Sequence, residues 1–291
     1  MSEPAGVIHD IGYQRYAGER RGRGYIVRSL YTHSLRTAFG LGRTAKAKIF
    51  PWLVAGTIGL AAVVLAVLRV QMSDNEIDDM YLGFADTMSW LVIFSVAVAA
   101  PELVSRDLRS GVPALYFSRP LRSSDYVFAK LLALASTVWL LLGAPQLLMF
   151  GISGFSLDGG ARQIWDEFTD MLGGLLYAGL WAAVFASIAL LVASLTGRRA
   201  FAAGGIVAVF LVSAPVVAVM ASLPSQTANE LAGIFSPPSL IQGVRTWLGG
   251  SSQGAGLQVG DFGPLYLATA AVLVVVCVVL LLLRYRKVAR S

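Results

Sequence analysis

The stretch PELVSRDLRSGVPALYFSRPLRSSDYVFAK, Pro101 to Lys130, separates two long apolar runs and decides how the rest of the chain is read. It carries Arg106, Arg109, Arg119, Arg122 and Lys130 against Glu102, Asp107 and Asp125. A segment this charged lies in water, whereas the runs around it are suited to lipid. Within it, 101–109 has the composition of a short helix, and Glu102, Arg106 and Arg109 at i, i+4 and i+7 share a face, so that Glu102 and Arg106 can pair. Gly111 and Pro113 end that helix. Ser118-Arg119-Pro120-Leu121 reads as extended, because a residue before proline avoids the helical region. Ser123 or Ser124 can cap the next helix, with Asp125 in its first turn. Tyr126 is then expected near the membrane boundary, with Lys130 reaching toward it.

The 291 residues are 56% apolar and only 14% charged, well below the roughly 25% of soluble domains. Six apolar spans follow, near 49–70, 84–100, 127–152, 172–195, 201–222 and 264–283. The second is short unless it borrows 81–83. A backbone in lipid must satisfy its own hydrogen bonds, and no strand-like alternation appears, so the fold class expected is an all-α integral membrane protein. The net charge of +6 does not point to nucleic acid, because the basic residues flank apolar runs and do not form one stripe. Cys277 is alone, which leaves no disulfide framework or cysteine metal site.

Twenty of the 23 lysines and arginines fall on one side of this six-span arrangement: nine in residues 1–48, five in the connection, Arg198 and Arg199, and four in the tail 284–291. The other side holds Arg69, Arg162 and Arg245, with acidic connections. The basic bias puts both termini in the cytoplasm of a multi-pass protein of the plasma membrane. Residues 1–24 read as a mobile leader. Residues 25–48 read as an amphipathic interfacial segment. Its helix, 25–43, has Ile26, Val27, Leu30, Tyr31, Leu35 and Phe39 on one arc and Arg28, Arg36 and Arg43 opposite, placed among lipid phosphates. The segment 223–250 is too apolar for a solvated loop. Pro237 and Pro238 divide it into two short or re-entrant pieces, followed by a glycine- and serine-rich turn.

Chemistry-bearing motifs are sparse. Gly151-Ile152-Ser153-Gly154 looks like an intramembrane protease sequence, but the only histidines, His9 and His33, lie in the opposite, cytoplasmic region. No metal-binding pattern occurs. No G-x-x-x-x-G-K-[ST] is present to cradle nucleotide phosphates, so no enzymatic activity is expected of this chain. Ser136, Thr137, Gln146 and Ser213 are the few polar groups within spans that a substrate could meet, and interhelical hydrogen bonding is the alternative reading. In the fourth span Ala178, Ala182 and Ala186 form a small-residue face suited to close helix packing, within the bundle or across a dimer.

Glu102, Arg106-Asp107, Ser110-Gly111, Ser118-Arg119-Pro120-Leu121, Asp125-Tyr126 and Lys130 together resemble the membrane subunits of type-2 ATP-binding cassette (ABC) transporters. So do the six spans, the amphipathic helix before the first and the half-re-entrant segment before the sixth. The pattern departs where Val112-Pro113 follow Gly111 in place of a threonine-like residue. The resemblance implies that 102–111 is a coupling helix, completed by 119–130, docking on a separate ATPase subunit that carries ATP and magnesium. It also implies a paired permease, commonly a homodimer, working as an exporter. The apolar spans favour a hydrophobic or amphipathic substrate. A membrane scaffold that recruits a cytoplasmic protein without transport, and an ion-coupled carrier, stay open as alternatives.

Overall fold

The computed structural model describes residues 22–71, 80–111, 116, 121–156, 160–248 and 258–288. Every regular element among them is helical. α1 spans Arg23–Ala38, α2 Ala45–Gln71, α3 Met80–Thr87, α4 Ser89–Leu103 and α5 Ser105–Arg109. α6 (Ser123–Ser156), α7 (Gly160–Ser194) and α8 (Arg199–Ala221) follow, then the short α9 (Gln226–Leu231), a 3-10 turn at Ala232–Phe235, α10 (Pro237–Trp247) and α11 (Gly263–Val288). Among the described residues five helices are long and apolar enough to cross a membrane, and α3 and α4, bent by 49° where they meet, reach that length only together. The chain is an all-α membrane protein.

The pattern of exposure explains why lipid is the solvent. α2, 27 residues long, extends about 40 Å at 1.5 Å per residue. Its buried residues Val54, Ile58, Ala62 and Ala66 recur every four positions. Leu53, Leu60 and Val64 point outward and are exposed. α8 repeats the arrangement with Ala202, Ile206 and Phe210 inward and Val212, Val216 and Val219 outward. Helices whose outer faces are apolar along most of their length are stable against hydrocarbon and aggregate in water.

α7 runs through the centre. Its aromatic file Tyr177, Trp181 and Phe185 is buried, and Phe185 stacks on Phe210 of α8 at 4.3 Å between centroids. Ala178, Ala182 and Ala186 are all buried within the chain, so the small-residue face serves packing inside the bundle. The bend between α3 and α4 comes beside Thr87, whose hydroxyl donates to the Gly83 carbonyl at 2.9 Å. Such back-bonding commonly bends helices.

Two boundaries differ from the sequence reading. α1 stops at Ala38, short of Arg43, because a complete Schellman closure forms: Gly40 N–H donates to Thr37 O at 3.0 Å and Leu41 N–H to Arg36 O at 2.8 Å. Gly40 has φ +69°, and a Cβ there would also collide with the Ala47 carbonyl. In the connection, Pro101–Leu103 continues the second span, since Pro101 and Leu103 are buried among its neighbours. Only Ser105–Arg109 forms the separate short helix. Before the last span the expected broken segment is present as α9, the 3-10 turn and α10, with Pro237 at the start of α10. Leu240, Ile241 and Val244 pack inward, whereas Phe235 and Leu248 are exposed. Residues 1–21 of the leader, 249–257 of the glycine-rich turn and 289–291 of the tail lie outside the described residues.

Candidate functional site

α5 sits where the bent span meets the ends of α6, α7, α8 and α11, and four attachments hold it there. The first is Ser105, fully buried, which donates to the Ala193 carbonyl of α7 at 2.7 Å. The second is Asp107. Its Oδ2 accepts from Lys130 Nζ at 2.8 Å and from Tyr126 Oη at 2.8 Å, both on α6. Lys130 is 6% exposed in its side chain, so the ammonium is neutralised where water cannot reach it freely. Its Nζ also lies 5.4 Å from the Tyr126 ring centroid, within range of a cation–π contact. Tyr126 in turn packs on Tyr285 of α11, with centroids 5.0 Å apart. Asp107 thus joins α5 to two spans.

The third attachment is Glu102, at the end of α4. It pairs with Arg43 Nη1 at 2.8 Å and with Arg199 at the start of α8. The expected pairing with Arg106 does not form, because these two arginines, distant in sequence, occupy both carboxylate oxygens. The fourth is Gly197 in the turn between α7 and α8. A Cβ at this position would lie 3.7 Å from Arg109 Cβ, so the turn and α5 run side by side. Gly111, φ +66°, stops the segment after Ser110 N–H bonds back to Arg106 O at 3.1 Å.

What these attachments leave over is the chemically available part. Arg106 and Arg109 are exposed, and neither has an acidic partner among the described residues. Arg28 and Arg36 on α1 share that condition. Arg43 does not: it belongs to the Glu102 clamp. At the start of α6, Ser123 and Ser124 already lie within the helix, and Asp125 in its first turn reaches back to accept from the Arg122 N–H at 3.1 Å. It also receives a two-pronged contact from Arg23, at 2.6 and 2.7 Å. Arg119 and Pro120 lie outside the described residues. Between α1 and α5 opens a cavity of about 660 Å³, with Arg36, Arg43, Glu102, Arg106 and Lys130 in its wall.

The four polar residues considered for a substrate path are engaged at separate places. Ser136 meets Tyr31 Oη of α1 at 2.9 Å. Thr137 bonds back to Ala133 O at 2.8 Å. Gln146 donates to Tyr81 O at 3.3 Å. Ser213 donates to Phe210 O at 2.9 Å, and its Oγ lies 3.1 Å from Ser236 Oγ, whose hydroxyl can donate to it.

At the other end of the bundle two ionic clusters join helices that the sequence does not visibly connect. Asp86 of α3 accepts from Arg245 of α10 at 2.7 Å and from Tyr177 of α7 at 2.6 Å. Glu167 of α7 accepts from Arg69 of α2 at 3.3 Å and from Tyr81 of α3 at 2.9 Å.

The chain belongs to the family described as "Protein of unknown function (DUF2705)", which matches residues 58–288. That match begins inside α2 and runs to the end of α11, leaving α1 outside. No curated protein matches the chain.

Proposed function

We propose that the chain is the membrane-spanning permease subunit of an ATP-driven transporter, with α5 as the element through which a separate ATPase subunit moves the spans. The observation that carries this reading is the division of labour within five residues. Ser105 and Asp107 face inward and are bonded to α7 and α6, while Arg106 and Arg109 face outward without acidic partners among the described residues. A loop whose only task is to set topology has no need of buried anchors, whereas a helix that transmits force needs a rigid inner face and a free outer one. Force applied to Arg106 and Arg109 reaches α6 through Asp107–Lys130, α11 through Tyr126–Tyr285, and α8 through Glu102–Arg199.

In this reading both termini and α5 face the cytoplasm, in keeping with the concentration of lysine and arginine at that end. ATP and magnesium bind the partner, and two permease chains flank the pathway. The exposed apolar faces of the spans suit export of a hydrophobic or amphipathic substrate. A conformational switch of this kind needs nucleotide to bind one state of the assembly better than the other.

The test is purification of the intact chain from its native membrane in mild detergent. A nucleotide-hydrolysing polypeptide is expected to come with it, and to be lost from the Arg106→Ala/Arg109→Ala variant while the spans stay folded. Sealed vesicles carrying the pair are expected to accumulate substrate only with ATP. Binding without accumulation would make the chain a scaffold.

A further inference from the structure

We infer that the cavity between α1 and α5 is a binding site for a phosphate-bearing anion, either an anionic phospholipid headgroup or a soluble phosphate. At about 660 Å³ it falls within the roughly 300–1,000 Å³ of small-ligand sites. Four cations stand in its wall, Arg36, Arg43, Arg106 and Lys130, against two carboxylates, Glu102 and Asp107. The carboxylates are already satisfied: Glu102 by Arg43 and Arg199, Asp107 by Lys130 and Tyr126. Arg36 from α1 and Arg106 from α5 remain, both exposed and without an acidic partner among the described residues.

Two guanidiniums on different elements, opening into one concave space, present planar forks that match phosphate oxygens. Thr37 and Ser110 add hydroxyls to the same wall. Leu41, an exposed apolar residue, also lines it. Basic pockets between spans at a membrane surface hold lipid headgroups by this chemistry. An anion held by Arg36 and Arg106 would bridge α1 to α5 and so couple the leading helix to the short helix. This inference shares Arg106 with the proposed docking face, so it is tested at Arg36, which lies outside that face and whose loss leaves the ATPase reading untouched.

The full chain is purified and reconstituted into phosphatidylcholine nanodiscs, with and without added phosphatidylglycerol. Retained lipid is counted by native mass spectrometry, and inorganic phosphate and pyrophosphate are titrated calorimetrically. One anion per chain is expected, with affinity lowered roughly tenfold or more in Arg36→Gln by loss of a charge-assisted hydrogen bond. Arg28→Gln, the same charge change on α1 outside the cavity, is expected to bind as the unaltered chain does. Arg36→Lys, which keeps charge but not the fork, is expected to bind with intermediate affinity. Phosphatidylglycerol retained against millimolar phosphate identifies the lipid as the source, whereas saturable phosphate binding without lipid preference identifies the soluble anion. Equal binding by Arg36→Gln and the unaltered chain overturns the inference, as does equal weakening by Arg28→Gln. Uptake of a polyglutamate peptide but of neither phosphate nor phospholipid overturns it as well.

Discussion

The two ends of the bundle both contain buried ion pairs, yet they use charge differently. At the end bearing Asp86–Arg245 and Arg69–Glu167, each pair is flanked by a tyrosine that donates to the carboxylate, Tyr177 in one case and Tyr81 in the other. Arg245 is 9% exposed in its side chain and Glu167 4%. These charges are turned inward and tie α3 to α10 and α7, and α2 to α7. At the end bearing α5, Asp107–Lys130 and the Glu102 clamp are equally committed, but they stand beside Arg36, Arg106 and Arg109, which are not. At one end the buried charges are spent on joining helices. The other combines anchors with spare guanidiniums, as a surface that holds its shape while engaging something else must do.

The largest effect that sharpens this contrast is expected at the anchor. Asp107→Ala leaves Lys130 buried without a counter-charge and should cost about 3–5 kcal/mol of stability, read as a lowered unfolding temperature of the detergent-solubilised chain. Asp107→Leu with Lys130→Met removes both charges and should recover most of that loss. At the opposite end, Arg245→Leu removes the charged partner of Asp86, and about 2–3 kcal/mol should be lost. A larger loss there than at Asp107 would reverse the ranking of the two ends.

Crowding supplies a third test. A Cβ at Gly174 of α7 would lie 2.6 Å from Gln146 Oε1 and 2.7 Å from Tyr81 Cβ, so Gly174→Ala should destabilise by about 1–3 kcal/mol. The same measurement on Arg109→Ala should show a change within about 0.5 kcal/mol, because an exposed side chain without an acidic partner supports little. Arg23→Ala, which removes an exposed pair with Asp125, should leave the unfolding temperature nearly unchanged. Substantial unfolding by Arg109→Ala would mean that its outward face is structural and the contrast between the ends is false.

The all-α membrane class and five long apolar helices were readable because each is a run of about 20 apolar residues, a signal carried by consecutive positions. Pro237, Pro238 and the apolar residues after them likewise announced the broken segment before the last span. The helix end at Gly40 was missed: Gly-Leu-Gly after an amphipathic helix is a stop signal, but the 25–43 reading ran through it. The partners of Glu102 were not legible. Arg43 lies 59 positions before it and Arg199 97 after, and no local periodicity links a residue in the turn after α1 to one at the start of α8. Arg106, four residues along, was the partner that helical spacing alone suggests. Asp107 and Lys130 are separated by the whole connection, so only the packing of α5 on α6 reveals that Lys130 faces inward. The clusters at the far end were hidden for the same reason: Asp86 and Arg245 are 159 residues apart.

In the proposed reading α5 is gripped by a nucleotide-hydrolysing partner on the cytoplasmic side. Cys277 is the sole cysteine and is buried in the last span, so Cys277→Ser with Arg109→Cys provides one exposed thiol on α5. A thiol-reactive photo-crosslinker attached there in inside-out native membrane vesicles should join the chain to a polypeptide that binds ATP. Labelling of the same thiol from outside intact cells, or efficient labelling in the vesicles with no ATP-binding polypeptide attached, would contradict the account.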